Sequence, residues 1–344
     1  MVRHLSLFFF CLLVISVVIT GCSRKEKEIV YKEPVFRVDK KVELEMILED
    51  PIMPEMIYDI EFHKGKLVLM YDLNERFLHF FDAKTGEALG NALHKGRGPG
   101  EVIYPAPFLL DRETGALSIF DRVPQQFFSG NIDSLYNGSG LSLVDEEFGS
   151  SKPIVISLPQ GYFFQEVPIV SEPERRYSLK KHNGEVVKYE GYPIDNFILL
   201  HSIYPNNKLG FSKDGTKMVA AANPGLIMEF FDLRDGIKKT HTRFYRKILL
   251  ENDGSIAYER SGWGIADFYC TNKYVYATLG EPNTNKRFNN IAIFDWEGKP
   301  LKIFRTKYKK LIRICVDDEE RILYICGEKD DGNYFLARLD LTKN

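Results

Sequence analysis

The fold is decided by the stretch Phe80-Phe81-Asp82-Ala83-Lys84-Thr85-Gly86, followed after eight residues by Lys95-Gly96-Arg97-Gly98-Pro99-Gly100-Glu101. The first part reads as an apolar strand that ends in an Asp and a glycine turn. The Asp side chain can accept hydrogen bonds from the turn backbone, and Gly adopts the positive φ that other residues avoid. The second part reads as a glycine-rich loop at the point where one repeat passes to the next.

The strand that ends in Asp returns along the chain. It is found at Phe80-Phe81-Asp82, Ile119-Phe120-Asp121, Phe230-Phe231-Asp232, Ile293-Phe294-Asp295 and Arg338-Leu339-Asp340. The spacing averages about 52 residues per repeat, close to the period of known propeller repeats. Two further apolar runs precede each of these strands, and helical patterns are confined to residues 131–135 and 196–202. We therefore predict an all-β chain, a six-bladed β-propeller with four-stranded antiparallel blades.

Residues 42–48 read Val-Glu-Leu-Glu-Met-Ile-Leu, an alternation typical of a β-strand. This strand has no partner nearby in the sequence. We predict that it closes the last blade, so that the two ends of the chain meet in one sheet. The propeller domain is accordingly predicted to span residues 42–344.

The N-terminus begins with an apolar run over residues 5–19, which is shorter than the ~20 residues that span a bilayer. It ends at Val18-Ile19-Thr20-Gly21-Cys22, which resembles the lipobox of bacterial lipoproteins. In that family the signal is cut before the Cys and the thiol carries a diacylglycerol. The resemblance implies a signal peptide over residues 1–21, lipidation at Cys22 and a flexible tether over residues 22–41. An ordinary secretory signal or a signal anchor stays open as the alternative.

The lipobox, the six repeats and the Gly96 to Glu101 string together resemble the six-bladed β-propeller lipoproteins of Bacteroidetes, also called TolB-like or NHL-like propellers. The string Gly-x-Gly-Pro-Gly-Glu is the family's most recognisable feature, and the resemblance covers residues 42–341. It implies the fold and a lipid-anchored place in the cell envelope, with the outer membrane favoured and the membrane face left open. It implies no settled activity.

Charge and cysteine content restrict the function further. Lys and Arg total 46 against 48 Asp and Glu, so no one-signed field exists to attract nucleic acid, and no nucleic-acid partner is predicted. Cys270, Cys315 and Cys326 are odd in number and lack CxxC spacing. If the last hairpin turns near residues 318–319, Cys315 faces a residue near Leu323 rather than Cys326, so we predict buried thiols.

Two loops carry candidate binding residues. Residues 96–101 could cradle an anion with backbone N–H groups, Lys95 and Arg97. The alternative is a structural turn between blades, with Glu101 bonded to the backbone of the neighbouring blade. Arg97 and Glu101 are the side chains to test. Trp263 lies between two glycines and could stack on a sugar or anchor a protein partner, or it could simply be packed between blades.

The function favoured by the sequence is a binding or scaffold module, held at the membrane by its lipid, for a protein, peptide or glycan partner. No cofactor and no metal site are predicted, and an enzyme is disfavoured because neither a nucleophile elbow nor a clustered His motif is present. The open alternative is a metal-dependent hydrolase or lyase with its site in the central channel. Glu61, Asp267 and Asp317 lie near the innermost strands and are the acidic residues that such a site would draw on.

Overall fold

The structure, a computed structural model, describes residues 29–49, 57–144, 155–159, 161–166, 176–181, 183–193, 208–281 and 288–343. The chain from Lys32 onward forms one compact unit. The predicted signal peptide, Cys22 and the predicted helical turn at residues 196–202 lie outside the described residues. Among those that are described, no helix is both long and apolar enough to cross a membrane.

Six antiparallel sheets follow one another along the chain, each with its first strand innermost. Blade 1 contains β3 (Asp59–His63), β4 (Lys66–Leu73), β5 (Arg76–Asp82) and β6 (Ala88–His94). Blade 2 contains β7 (Leu109–Leu110), β8 (Ala116–Asp121), β9 (Gln126–Asn131) and β10 (Ser142–Val144). Blade 3 contains β11 (Val155–Ser157), β12 (Phe163–Glu166), β13 (Tyr177–Lys180) and β14 (Val186–Tyr189).

The second half of the chain repeats the pattern and completes the predicted count of six. Blade 4 contains β15 (Lys208–Phe211), β16 (Lys217–Ala221), β17 (Leu226–Asp232) and β18 (Lys238–Arg246). Blade 5 contains β19 (Ile265–Cys270), β20 (Tyr274–Leu279), β21 (Asn290–Asp295) and β22 (Pro300–Arg305). Blade 6 contains β23 (Lys310–Val316), β24 (Ile322–Glu328) and β25 (Tyr334–Asp340). Two short helices, α1 (Ile132–Tyr136) and α2 (Tyr258–Ser261), complete the described elements.

The N-terminal segment supplies the missing outer strand of blade 6. Strand β2 (Glu45–Leu48) pairs antiparallel with β25, and Glu45 lies opposite Arg338. The two side chains also form an ion pair across the strands. The prediction that residues 42–48 close the last blade is therefore confirmed, with the strand itself limited to its second half.

The ordered sheet begins earlier than predicted, which corrects the predicted tether. Strand β1 (Val38–Lys41) lies within the tether assigned to residues 22–41, yet it pairs parallel with β22 as a fifth strand of blade 5. Its residues are mostly exposed, so no alternation of apolar and polar residues marks it as a strand. The strand is held instead by backbone hydrogen bonds and by Arg305, which binds both carboxylate oxygens of Asp39 at 2.8 and 2.9 Å.

The core lies between the blades rather than within them. Successive residues of a strand point to opposite faces, so the two Phe residues before Asp82, and the two before Asp232, pack against different neighbouring blades. Phe80 packs into the cluster shared with blade 2, whereas Phe81 packs into the cluster shared with blade 6. Phe230 and Phe231 divide in the same way between blades 5 and 3. In blades 1 and 4 the aromatic pair therefore packs the blade against both of its neighbours.

The Asp residues act in turns, as predicted. The Asp82 carboxylate accepts hydrogen bonds from the backbone N–H groups of Lys84 at 3.0 Å and Thr85 at 2.7 Å. These bonds stabilise the ionised form, and with the Thr85 hydroxyl they hold the pKa of Asp82 below its usual value. Gly86 completes the turn with φ of 76°.

The three described cysteines are free and buried, in agreement with the predicted thiols. Cys315 lies opposite Tyr324, and Cys326 lies opposite Arg313, so the two sulfur atoms are out of register with each other. Burial raises the pKa of all three thiols. They therefore remain protonated and contribute to packing rather than to chemistry.

Candidate functional site

The glycine-rich loop after blade 1 is folded around its own carboxylate. Glu101 accepts a hydrogen bond from the backbone N–H of Gly98 at 2.8 Å. A Cβ at Gly96 would come within 1.9 Å of a Glu101 carboxylate oxygen, so a larger residue there would displace the Glu101 side chain from this position. Gly100 has φ of 76°, which also favours glycine. The Gly-x-Gly-Pro-Gly-Glu string is thus a closed turn with an internal anion.

This arrangement corrects the expected partner of Glu101 in the alternative of a structural turn between blades. It also weighs against the alternative in which the loop cradles an anion. Glu101 bonds within its own loop, not to the backbone of a neighbouring blade. The Lys95 ammonium group, expected to help hold an anion, is paired with the Asp72 carboxylate. Arg97 is exposed, and no hydrogen bond or ion pair to a described residue holds its guanidinium group. The Arg97 side chain therefore remains a candidate contact on the surface.

The same loop forms one wall of a groove of about 900 Å³. The opposite wall comes from blade 2, at the turn after β8 and along the outermost strand β10. Val123 and Leu143 line this groove and are 54% and 53% exposed. Asp121 ties the two walls together, because its carboxylate accepts the backbone N–H groups of Tyr104 at 3.1 Å and Val123 at 3.1 Å.

Exposed apolar side chains are concentrated around this blade. Among the described residues nine large hydrophobic side chains are exposed, and four of them belong to blade 2 and the loop that enters it: Tyr104, Val123, Tyr136 and Leu143. Val123 and Leu143 line the groove itself. Single exposed apolar residues are ordinary, but a group of them beside a groove is typical of an interaction site.

A second cavity, of about 290 Å³, lies on the axis of the propeller. Each of the six innermost strands contributes at least one lining residue, which identifies it as the central channel. The described channel side chains include three carboxylic acids (Asp59, Glu61 and Asp267) and four cations (Arg122, Lys208, Lys213 and Arg313).

A network of charged side chains crosses the axis at one level of the channel. Glu61 of blade 1 accepts hydrogen bonds from Lys213 of blade 4 at 2.8 Å and from Arg112 of blade 2 at 2.9 Å. The Tyr269 hydroxyl of blade 5 donates to the same carboxylate at 3.1 Å. Blades 1 and 4 stand opposite each other in a ring of six, as do blades 2 and 5. The network therefore closes the channel at this level by joining two diameters of the ring.

A second group of charges lies towards the first residues of the innermost strands. Arg313 contacts the Asp267 carboxylate at 3.3 Å and donates to the backbone carbonyl of Tyr58 at 2.7 Å. Asp59, half-buried and facing the channel, accepts only the backbone N–H of Ile60 among the described groups. Burial and the nearby Glu61 carboxylate raise the pKa of Asp59 to about 8. Burial likewise raises the pKa of Asp267 to about 6, against the opposing effect of Arg313.

The acidic residues that the hydrolase alternative would draw on are not brought together as metal ligands. The Glu61 carboxylate is occupied by two cations and a tyrosine, and Asp317 accepts the backbone N–H groups of Arg321 and Ile322 in a turn. Across the described ranges, no three His, Cys, Asp or Glu side chains form a group that could hold a metal ion. Arg112 and Lys213, which lie in turns, were missed because nothing in their local sequence marks them as channel residues.

Trp263 lies before blade 5 in an aromatic cluster. Its ring is 5.9 Å from that of Tyr258 and 5.8 Å from that of Phe288, measured between centroids. The side chain is half-buried, and its backbone carbonyl accepts a hydrogen bond from Arg246 at 2.6 Å. The packing interpretation accounts for these contacts, and a binding role for the exposed part of the ring stays a prediction. Trp263 is on a different blade from Arg97 and Glu101.

Six radially repeated four-stranded sheets around a charged axis define a six-bladed β-propeller. The chain belongs to the DUF5128 family, described as a 6-bladed beta-propeller, whose sequence profile matches residues 48–221. Curated proteins provide no significant match. Similar solved structures include a Bacteroides fragilis NCTC 9343 protein described as exported, with 14% identity, a TM-score of 0.53 and coverage of 88% of this chain and 98% of that one. They also include regucalcin from Agrobacterium tumefaciens str. C58, described as a calcium-binding protein, with 12% identity, a TM-score of 0.52 and coverage of 87% and 95%. At these identities the likeness concerns the fold alone.

Proposed function

We propose that this protein is a lipid-anchored binding module of the bacterial cell envelope, which holds an apolar segment of a protein or peptide partner in the groove beside blade 2. The groove between the Gly96 to Glu101 loop and strand β10 is the observation that carries this proposal. It combines exposed Val123 and Leu143 with a wall that is fixed by internal hydrogen bonds. A rigid wall lowers the ordering cost of binding.

The proposed location in the cell envelope rests on the lipobox that ends in Cys22. It is compatible with the way the chain enters the propeller. The N-terminal segment is fixed at blades 5 and 6, through β1 and β2, on the opposite side of the ring from blades 2 and 3. Blade 2 thus faces away from the point at which the chain enters the ring. A lipid at Cys22 would leave the groove accessible to a partner.

An apolar polypeptide partner is favoured over a glycan because the large apolar side chains exposed in the groove, Val123 and Leu143, are aliphatic. Valine and leucine bury favourably against other apolar side chains, at roughly 25 cal/mol per Å² of surface removed from water. Sugars are instead bound chiefly by aromatic rings and polar side chains. The metal-dependent alternative has no comparable support, because the carboxylate of Glu61 is held by Lys213 and Arg112.

We expect a photo-crosslinking amino acid at position 143 to capture a discrete partner in intact cells of the native organism. The same amino acid at position 186 provides the matched control, since Val186 is 48% exposed on β14, the equivalent outermost strand of blade 3. Capture at 143 should also be lost when Val123→Asp places a charge in the groove. Equal capture at both positions, or capture that survives Val123→Asp, would contradict the proposed groove.

A further inference from the structure

The channel cavity is separate from the groove and has one end closed by side chains. The cross-axis network around Glu61 forms one end, with Lys213 and Tyr269 reaching it from blades 4 and 5. The cavity extends from this layer towards the first residues of the innermost strands, where Asp59 and Lys208 begin β3 and β15. Its volume of about 290 Å³ suits a small molecule rather than a peptide.

Positive charge prevails in the cavity lining. Four cationic side chains face three carboxylic acids. Two of these acids are already matched, because Glu61 is bound by Lys213 and Arg112 while Asp267 is bound by Arg313. The Asp59 carboxyl has no cation within ion-pair distance among the described residues, and the raised pKa of about 8 keeps it mostly protonated at pH 7. Among the described lining residues, four positive charges therefore stand against two negative ones.

Arg122 is the cation whose hydrogen-bonding capacity is least used. Its guanidinium group lies 5.5 Å from the ring centre of Tyr104. Its Nε atom is buried and has no hydrogen-bond partner among the described residues. A buried donor without an acceptor is unfavourable, so a ligand that supplies an acceptor at this position gains affinity. This unpartnered donor indicates room for a hydrogen-bond acceptor beside Arg122, and a carboxylate oxygen is the acceptor that its positive charge favours most.

Apolar walls separate the charged groups of the cavity. Phe108, Phe211 and Phe268 line it together with Leu109 and Leu209. A small inorganic anion would leave these surfaces uncovered, whereas a carbon skeleton between acidic groups would cover them. The combination of apolar walls with cations at their margins is suited to an organic acid.

We propose that the channel cavity binds a small organic carboxylate, with Arg122 and Lys208 as its cationic contacts and the Asp59 carboxyl as a hydrogen-bond donor to it. This site and its ligand class lie beyond the proposed partner-binding groove. The carboxylate replaces the missing acceptor at Arg122, and its carbon chain covers the phenylalanine walls. Arg313 is a positioning residue, since its guanidinium group is already bound to Asp267 and to the Tyr58 carbonyl.

Binding should be measured on the full-length protein by isothermal titration with succinate. The matched probe is 1,4-diaminobutane, which has the same four-carbon chain and the opposite charge, and inorganic phosphate tests whether the carbon skeleton matters. We expect saturable binding of succinate, weaker binding of phosphate and none of the diamine. No saturation by succinate up to about 10 mM, or tighter binding of phosphate or of the diamine, would overturn the proposal.

Variants test the assigned contacts. Arg122→Gln should weaken succinate binding roughly tenfold or more, as expected when a charged hydrogen bond is lost. Arg97→Gln is the control, because this arginine is exposed and lies outside the cavity. Unchanged affinity in Arg122→Gln, with the fold intact by circular dichroism, would overturn the assignment.

The pH dependence follows from the charges around Asp59. The carboxyl faces Glu61 on its own strand, Asp267 on β19 and Arg313 on β23, and the cavity adds Lys208, Lys213 and Arg122. Ionised Asp59 repels a bound carboxylate, so succinate affinity should fall as the pH rises through about 8. In Asp59→Asn the side chain stays neutral, and the affinity should not change over the same range. An equal fall in both proteins would overturn the role of Asp59.

The groove variant separates this proposal from the proposed function. Val123→Asp is expected to abolish partner capture and to leave the calorimetric affinity for succinate within about twofold. Succinate binding without partner capture would support the channel site and count against the groove. Partner capture without succinate binding would do the reverse.

Discussion

Replacing Cys22 with Ala is expected to remove the protein from membranes. If the lipobox is cut before Cys22, the thiol is the attachment point for the acyl chains. No helix among the described residues is long and apolar enough to take over the anchoring. Each buried methylene contributes about 0.8 kcal/mol, so two or three acyl chains anchor the protein stably. A protein without acyl chains lacks this anchor. The expected result is a shift of nearly all the protein from carbonate-washed membranes to the soluble fraction.

Incorporation of an alkynyl fatty acid provides the second readout, because an uncut signal peptide could itself retain the variant in the membrane. The label should be present in the wild-type protein and absent in Cys22→Ala. Cys270→Ala is the matched control, since it also removes one thiol but from a buried position in blade 5. A wild-type protein without the label, or a Cys22→Ala variant that keeps it, would contradict the lipidation of Cys22.

The largest effect on stability is expected from the buried ion pair between blades 3 and 4. Arg176, just before β13, is bound to Glu229 of β17, and the two side chains are 4% and 2% exposed. Lys239 lies 3.7 Å from the second carboxylate oxygen. Breaking a buried pair leaves an uncompensated charge, which typically lowers the free energy of unfolding by about 3–5 kcal/mol. We expect a loss of this size for Glu229→Gln in urea unfolding followed by tryptophan fluorescence.

The double variant Arg176→Met, Glu229→Leu tests the reason for that loss. Replacing both charges with apolar side chains leaves no fully buried charge, because Lys239, the other cation beside Glu229, is 31% exposed and can be hydrated. The double variant should therefore be more stable than Glu229→Gln alone. The pair would be shown unimportant for stability if Glu229→Gln lost less than about 1 kcal/mol. The orphan-charge explanation would be wrong if the double variant were the less stable of the two.

The regular part of the fold was predictable because it is encoded locally. An apolar strand that ends in Asp, followed in three of five cases by a glycine turn, marks a strand and its turn, and the spacing of these repeats specified the number of blades. The closing strand was also predictable, since residues 42–48 alternate without a local partner. Strand β1 was not, because its residues Val38–Lys41 are mostly exposed and its pairing is parallel to β22. No apolar periodicity marks such a strand.

The sites were less predictable than the fold because they are formed by residues far apart in the chain. Glu61 meets Lys213 across 152 positions and Tyr269 across 208. Only the closure of the ring brings them together, and no motif spans such distances. The Gly96 to Glu101 loop was recognised from its sequence, but the partner of Glu101 was not, since the carboxylate turns back into the loop. The exposed Leu143 had no local signal either, because one apolar residue in a strand is ordinary.

The channel and the groove both depend on closure of the ring by the N-terminal strand, which a disulfide across that closure tests most directly. Met46 and Ala337 are opposite partners in β2 and β25, at a spacing that suits a disulfide. Under mild oxidation, Met46→Cys, Ala337→Cys should form an intramolecular disulfide and melt at a higher temperature than its reduced form. Met46→Cys paired with Ala220→Cys in blade 4 should not crosslink. A folded Met46→Cys, Ala337→Cys protein that forms no disulfide, or equal crosslinking in the control pair, would contradict the closed ring.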